Sequence, residues 1–224
     1  MLEGIIMMTL VLKFLIALLA APVAVGASAA FYENFLLVKE LSVSINYFIG
    51  GVVTYVVIHL LFYKPTFLYV FGHEAVHAGV SWIFGGKVKG FKVSKEGGSV
   101  ATDKTNAVVE LSPYFVPIYA IVVTLIYFLV ASSYRINGSI FVFLIGFTLA
   151  FHLISTMEVM KTRQPDFLKS GYFFSIVLVY ILNILVISGI FSLLFPSFSI
   201  KLFFIDLLKV SRDIYMAIIR QLFF

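Results

Sequence analysis

Cysteine is absent from all 224 residues. Disulfides are therefore excluded, and so are the thiolate zinc sites of finger-type domains. Charge is scarce: Asp, Glu, Lys and Arg make up 12% of the chain, against 62% hydrophobic residues. With a mean hydropathy of +1.08, this composition excludes an ordinary soluble domain. The surplus of basic residues, a formal +5, sits mostly in loops beside apolar runs. There it sets topology and meets anionic lipid, so it is not read as a nucleic-acid signal.

Apolar runs of membrane-spanning length recur along the chain. Six spans are expected, at residues 5–30, 46–63, 66–84, 107–131, 139–160 and 171–195. Backbone groups in hydrocarbon must be paired internally, so the expected fold class is an all-α polytopic membrane bundle. Residues 1–198 read as one transmembrane domain and residues 199–224 as an amphipathic C-terminal helix, lying in the interface or packed on the bundle. Ala27-Ser28-Ala29 resembles a small-residue cleavage site, but Glu3 and the length of the first run favour a retained span. Lys13 within that run can snorkel toward the interface.

One short segment carries chemistry: His73-Glu74-Ala75-Val76-His77. Imidazoles four residues apart share one helix face and can grip a single zinc ion. The intervening Glu can hold and deprotonate a water. With no cysteine available, His and carboxylate ligands must suffice, a set typical of catalytic sites. Gly85-Gly86 should end this helix. The alternation of Lys87 to Val93, with a slip at Gly90, then predicts a strand. Glu96-Gly97-Gly98 predicts a turn and residues 99–102 a returning strand, giving a hairpin over about 87–102. Its edge could accept an extended peptide, or its lysines could simply guard it. Pro113 and Pro117 should break or bend the fourth span.

The run Gly72-His73-Glu74-Ala75-Val76-His77-Ala78, followed by Phe84-Gly85-Gly86-Lys87-Val88 and a Gly-rich hairpin, resembles the site-2-protease-like intramembrane zinc peptidases. It looks most like their compact prokaryotic-type relatives, and the likeness covers residues 66–171. The resemblance implies that His73 and His77 are zinc ligands, that Glu74 is the catalytic base, and that a downstream Asp completes the site. The family's Asp-Gly pair is missing here; the nearest match is Gln164-Pro165-Asp166-Phe167, making Asp166 the first choice for the third ligand. Its alternative role is a helix N-cap. His152, within the fifth span, is a rival: third ligand, oxyanion donor, or a bond between helices. Glu110 and Glu158 stand further back as carboxylate ligands, and His59 and Asn183 read as packing hydrogen bonds.

The expected function is therefore a zinc endopeptidase that cuts transmembrane protein substrates within the lipid bilayer. Zn2+ is its cofactor, Glu74 and His152 act in catalysis, and His73, His77 and Asp166 hold metal. The alternatives are a non-catalytic zinc-binding membrane protein and, with a poorer string of ligands, a metal transporter. Nine Lys and Arg residues near Lys39, between Lys87 and Lys104, and between Lys161 and Lys169 share one side, against Lys64 and Arg135 opposite. The positive-inside rule makes the hairpin and Asp166 side cytoplasmic, and the resemblance implies a prokaryotic cell membrane.

Overall fold

The computed structural model describes residues 2–38, 43–62, 64–131, 138–162 and 164–223. Lys39, Arg135 and Arg163, three of the basic residues counted for topology, lie outside the described residues. The chain packs into two units, one of Met1–Lys39 with Pro165–Phe224 and one of Glu40–Gln164.

The internal unit, residues 40–164, holds α2 (Val43–Leu61), α3 (Thr66–Ile83), β1 (Val88–Val93), β2 (Gly98–Thr102), α4 (Ala107–Leu111), α5 (Ile118–Ala131) and α6 (Ser139–Met160). Helices α2 and α6 form its largest contact. Their backbones meet closely because Gly51 lies against the Phe143 carbonyl and Gly146 against the Phe48 carbonyl, where a Cβ would collide. Small residues at such crossings are how apolar helices gain dispersion contacts when lipid itself is apolar. Beside the crossing, Tyr55, Ala150 and Phe151 are buried, with Tyr69 of α3 and Tyr119 of α5 packed on them. This cluster fixes the helix that carries the histidine motif.

The hairpin is antiparallel, with Phe91 opposite Val100 and Val93 opposite Gly98. Its register shifts between Val88 and Gly90, where the sequence alternation slips. The expected fourth span is broken: α4 leads into a 3-10 turn at Ser112–Tyr114, and α5 starts only after Pro117. Residues Ala107–Tyr114 and Ile118–Val130 meet at 74°. Pro117 lacks an amide hydrogen and its ring obstructs the preceding turn, which explains the break.

The terminal unit holds α1 (Leu2–Leu36), α7 (Pro165–Ser170), α8 (Tyr172–Leu194) and α9 (Ile200–Phe223). Helix α8 runs parallel to α1, with Phe14 beside Phe173 and Phe31 beside Phe191. Helix α9 returns antiparallel along α1. Its polar stripe is used in that packing: Asn34 Nδ2 donates to Asp206 Oδ2 at 3.2 Å, and the Tyr215 hydroxyl donates to the Leu19 carbonyl. The C-terminal amphipathic segment is thus docked on α1 through Phe203, Leu207 and Ser211, while Leu202, Ile205 and Leu208 on its other faces stay exposed.

The count of spans needs correction. Among the described residues, four helices are long and apolar enough to cross a membrane: Met7–Leu36, Ser44–Leu61, Ser139–Met160 and Tyr172–Leu194. A fifth is reached if the bent pair is taken as one span. The expected span at 66–84 is helix α3, but it is outside that set. The reason is the motif itself: His73, Glu74 and His77 within 18 residues lower its hydropathy.

Candidate metal centre

Helix α3 begins after Pro65 and ends at Phe84, where Gly85 takes φ 73°. That left-handed turn is cheap only for glycine and sends the chain directly into the hairpin. Within the helix the motif histidines lie one turn apart, and their Nε2 atoms approach to 3.1 Å. Two metal–nitrogen bonds of zinc length meeting at a tetrahedral angle would hold such atoms about 3.3 Å apart. The two imidazoles are therefore already spaced for one shared ion.

Their outer nitrogens are also engaged. His77 Nδ1 lies 2.9 Å from the Val109 carbonyl, which can only accept, so Nδ1 carries the proton and the Nε2 lone pair faces the shared point. His73 Nδ1 lies 3.4 Å from the Tyr69 hydroxyl, and its ring meets the Tyr114 ring edge-on, at 5.1 Å between centroids. Such partners orient a ligand and raise its basicity.

The carbonyl that orients His77 has its own support. The Asn106 side chain accepts hydrogen bonds from the amides of Val108 and Val109, each at 2.9 Å, capping α4. Ser112 Oγ donates to the same Val109 carbonyl at 2.9 Å. A short five-residue helix is thus held in place so that one carbonyl points at one histidine. Asn106→Ala is expected to loosen this arrangement, weakening zinc affinity about 10-fold to 100-fold, as removal of an outer ligand-orienting group does. A competition titration with a zinc chelator would measure it, and unchanged affinity would separate the cap from the site.

Glu74 is buried, 7% exposed, on the next position of the helix. It lies under the start of β2: a Cβ placed on Gly98 would stand 2.6 Å from Glu74 Cγ and 2.8 Å from Val70 Cγ1. The hairpin is also tied down at its far end, where Ser81 Oγ bonds the Thr102 hydroxyl and the Lys104 carbonyl. The sequence reading treated Gly98 only as part of a turn, whereas the fold uses it as the point where a strand closes over the carboxylate.

His152 faces the same region from α6. It lines a cleft with His73, Tyr69, Tyr119 and Pro113, one wall of which is the broken segment between α4 and α5. Among the described residues it belongs to no cluster close enough to share an ion with the motif histidines. Asp166 stands in the first turn of α7, partly buried, in the terminal unit. Glu158 is engaged elsewhere: its Oε1 accepts from Lys64 Nζ at 2.5 Å and lies 3.2 Å from His59 Nε2. His59 also meets the Tyr55 hydroxyl at 3.2 Å, so its predicted packing role is what the fold displays. Glu110 lies 3.5 Å from Thr105 Oγ1, and Asn183 donates to the Val179 carbonyl of its own helix.

The residues that the sequence reading missed are those with no chemistry of their own: Asn106, Val109, Ser112, Tyr69 and Gly98. Only Asn106 left a signal, as a helix-capping residue just before an apolar run. No family model, no curated protein and no solved structure matches this chain.

Proposed function

We propose that this chain is an intramembrane zinc endopeptidase of the site-2-protease-like kind, hydrolysing peptide bonds of transmembrane substrates. The observation that supports it most is the 3.1 Å approach of the two histidine Nε2 atoms, with the buried Glu74 carboxylate on the same helix beneath a β-hairpin. His73 and His77 would hold the zinc ion and Asp166 would complete the set. Two imidazoles and a carboxylate are the donor set that hydrolytic zinc centres use.

A zinc ion bound there supplies Lewis acidity and makes water acidic near neutral pH. The chain's own residues do the rest. Glu74 takes the proton of the attacking water and later delivers it to the leaving amine, so the carboxylate ends each turnover ionised. His77 is held in one tautomer by the Val109 carbonyl. His152, lining the cleft beside His73, is the side chain proposed to donate a hydrogen bond to the oxygen that gains charge. The hairpin edge would receive the substrate as an added strand, because a helical peptide bond is shielded and must be opened first. The lysines of the hairpin would favour the cytoplasm for this face of the protein.

Zinc content of the purified, detergent-solubilised protein tests the reading. One zinc per chain is expected in the wild type and in His152→Ala, with loss in His77→Ala and Asp166→Ala. Loss in His152→Ala instead would move the third ligand onto α6. No zinc in the wild type after reconstitution would sink the peptidase reading. Bound zinc with no cleavage of any transmembrane peptide in liposomes would leave a non-catalytic zinc-binding protein.

A further inference from the structure

Lys13 lies on α1, inside the apolar stretch Met7–Leu36. A cation within a membrane-spanning helix is costly unless it is paired or reaches the interface. No ion pair is formed by Lys13 among the described residues; its ammonium instead lies 6.0 Å from the centre of the Phe174 ring. Beside it is a cavity of about 220 Å³ walled by Leu10, Phe14, Phe173 and Tyr172. Lys13, Gly171 and Phe174 complete the lining, in which Lys13 is the one charged residue, and the cavity lies wholly within the terminal unit.

Two independent features argue for a cavity near the level of the lipid headgroups. First, Lys13 is six residues from the start of a 30-residue apolar helix. Such a helix is about 45 Å long at 1.5 Å per residue, well over the roughly 30 Å of hydrocarbon, so its first turns can reach the interface. Second, the apolar stretch of α8 begins at Tyr172, in the wall of the same cavity, and Phe14 packs on Phe173 at 5.4 Å. Two spans therefore begin side by side here, with a tyrosine at the depth that interfacial tyrosines favour.

We propose that this cavity binds one anionic phospholipid, with the Lys13 ammonium on its phosphate and the aromatic and leucine walls against the adjoining acyl chain. Charge complementarity selects the occupant: a single buried-edge cation facing an apolar slot fits a ligand with one anionic end and a long hydrocarbon tail. Gly171 lies in the wall of the slot. It takes φ 88°, and a Cβ there would stand 3.6 Å from Leu10 and 4.0 Å from Lys13. The proposal is independent of the metal centre and survives if the chain is not a peptidase.

The test is native mass spectrometry of the full chain in micelles containing equal phosphatidylglycerol and phosphatidylcholine. The wild type should retain phosphatidylglycerol about fivefold over phosphatidylcholine, the factor one lysine near a membrane surface supplies. Lys13→Gln should bring the ratio to that of the bulk lipid, Lys13→Arg should keep it, and Lys209→Gln, at an exposed position of α9, should leave it unchanged. Leu10→Trp, which fills the slot and keeps the charge, should expel the lipid. An unselective wild type, a preference that survives Lys13→Gln, or equal thermal stabilisation by inorganic phosphate would each overturn the proposal.

Discussion

Glu74→Gln is expected to keep one zinc per chain while lowering cleavage of a transmembrane substrate by roughly 100-fold to 10,000-fold, the span of a lost general base. The replacement preserves shape, so the close approach of Gly98 to this side chain is undisturbed. It also preserves both histidines and the Val109 contact that orients His77. What it removes is the ability to accept a proton from water near neutral pH. The comparison is made on reconstituted protein, with zinc measured in the same preparation. Cleavage within tenfold of the wild type would remove Glu74 from the reaction. Loss of zinc would show that the carboxylate holds the site together and does not serve as a base.

Gly98→Val is the second large effect, and it tests the fold's part in the chemistry. The added side chain begins where a Cβ would lie 2.6 Å from Glu74 Cγ and 2.8 Å from Val70 Cγ1, closer than carbons approach. Either the strand lifts or the carboxylate swings aside. Misplacing a reacting group by about 1 Å is enough for a loss near 100-fold. The histidines face away from this contact, toward each other and Val109, so zinc should remain bound. Ser99→Ala, on the next residue of β2, is the control and should stay within twofold. Equal activity of Gly98→Val and wild type would mean that the hairpin moves freely and does not position Glu74. Such a result would also weaken the case for substrate addition at that edge.

The parts of this molecule that sequence made legible are those governed by short-range periodicity. The four-residue spacing of His73 and His77 puts both on one helix face, and their Nε2 atoms do converge. The alternation after Gly86, and its slip, becomes a hairpin with a register shift at Val88 and Gly90. Pro113 and Pro117 break the chain where a proline must. The number of spans was less legible, because composition shows that a helix forms and not whether lipid or protein surrounds it. Helix α3 illustrates the problem: its motif residues make it useful and also make it too polar to qualify as a span.

Sequence by itself determined the chemistry available: no thiolates, two histidines at metal-binding spacing, a carboxylate between them, and helices apolar enough for a bilayer. Tertiary structure decided which partners each group meets. Only packing could bring the Val109 carbonyl to His77 across 32 positions, or Glu158 to His59 across 99. The same holds for Gly98 over Glu74 and for α9 along α1. Local propensity acts over a few residues and is written in their order. Contacts between distant segments depend on how whole helices cross, where backbones can approach and which polar groups must find a partner, and those balances exist only once the chain is folded.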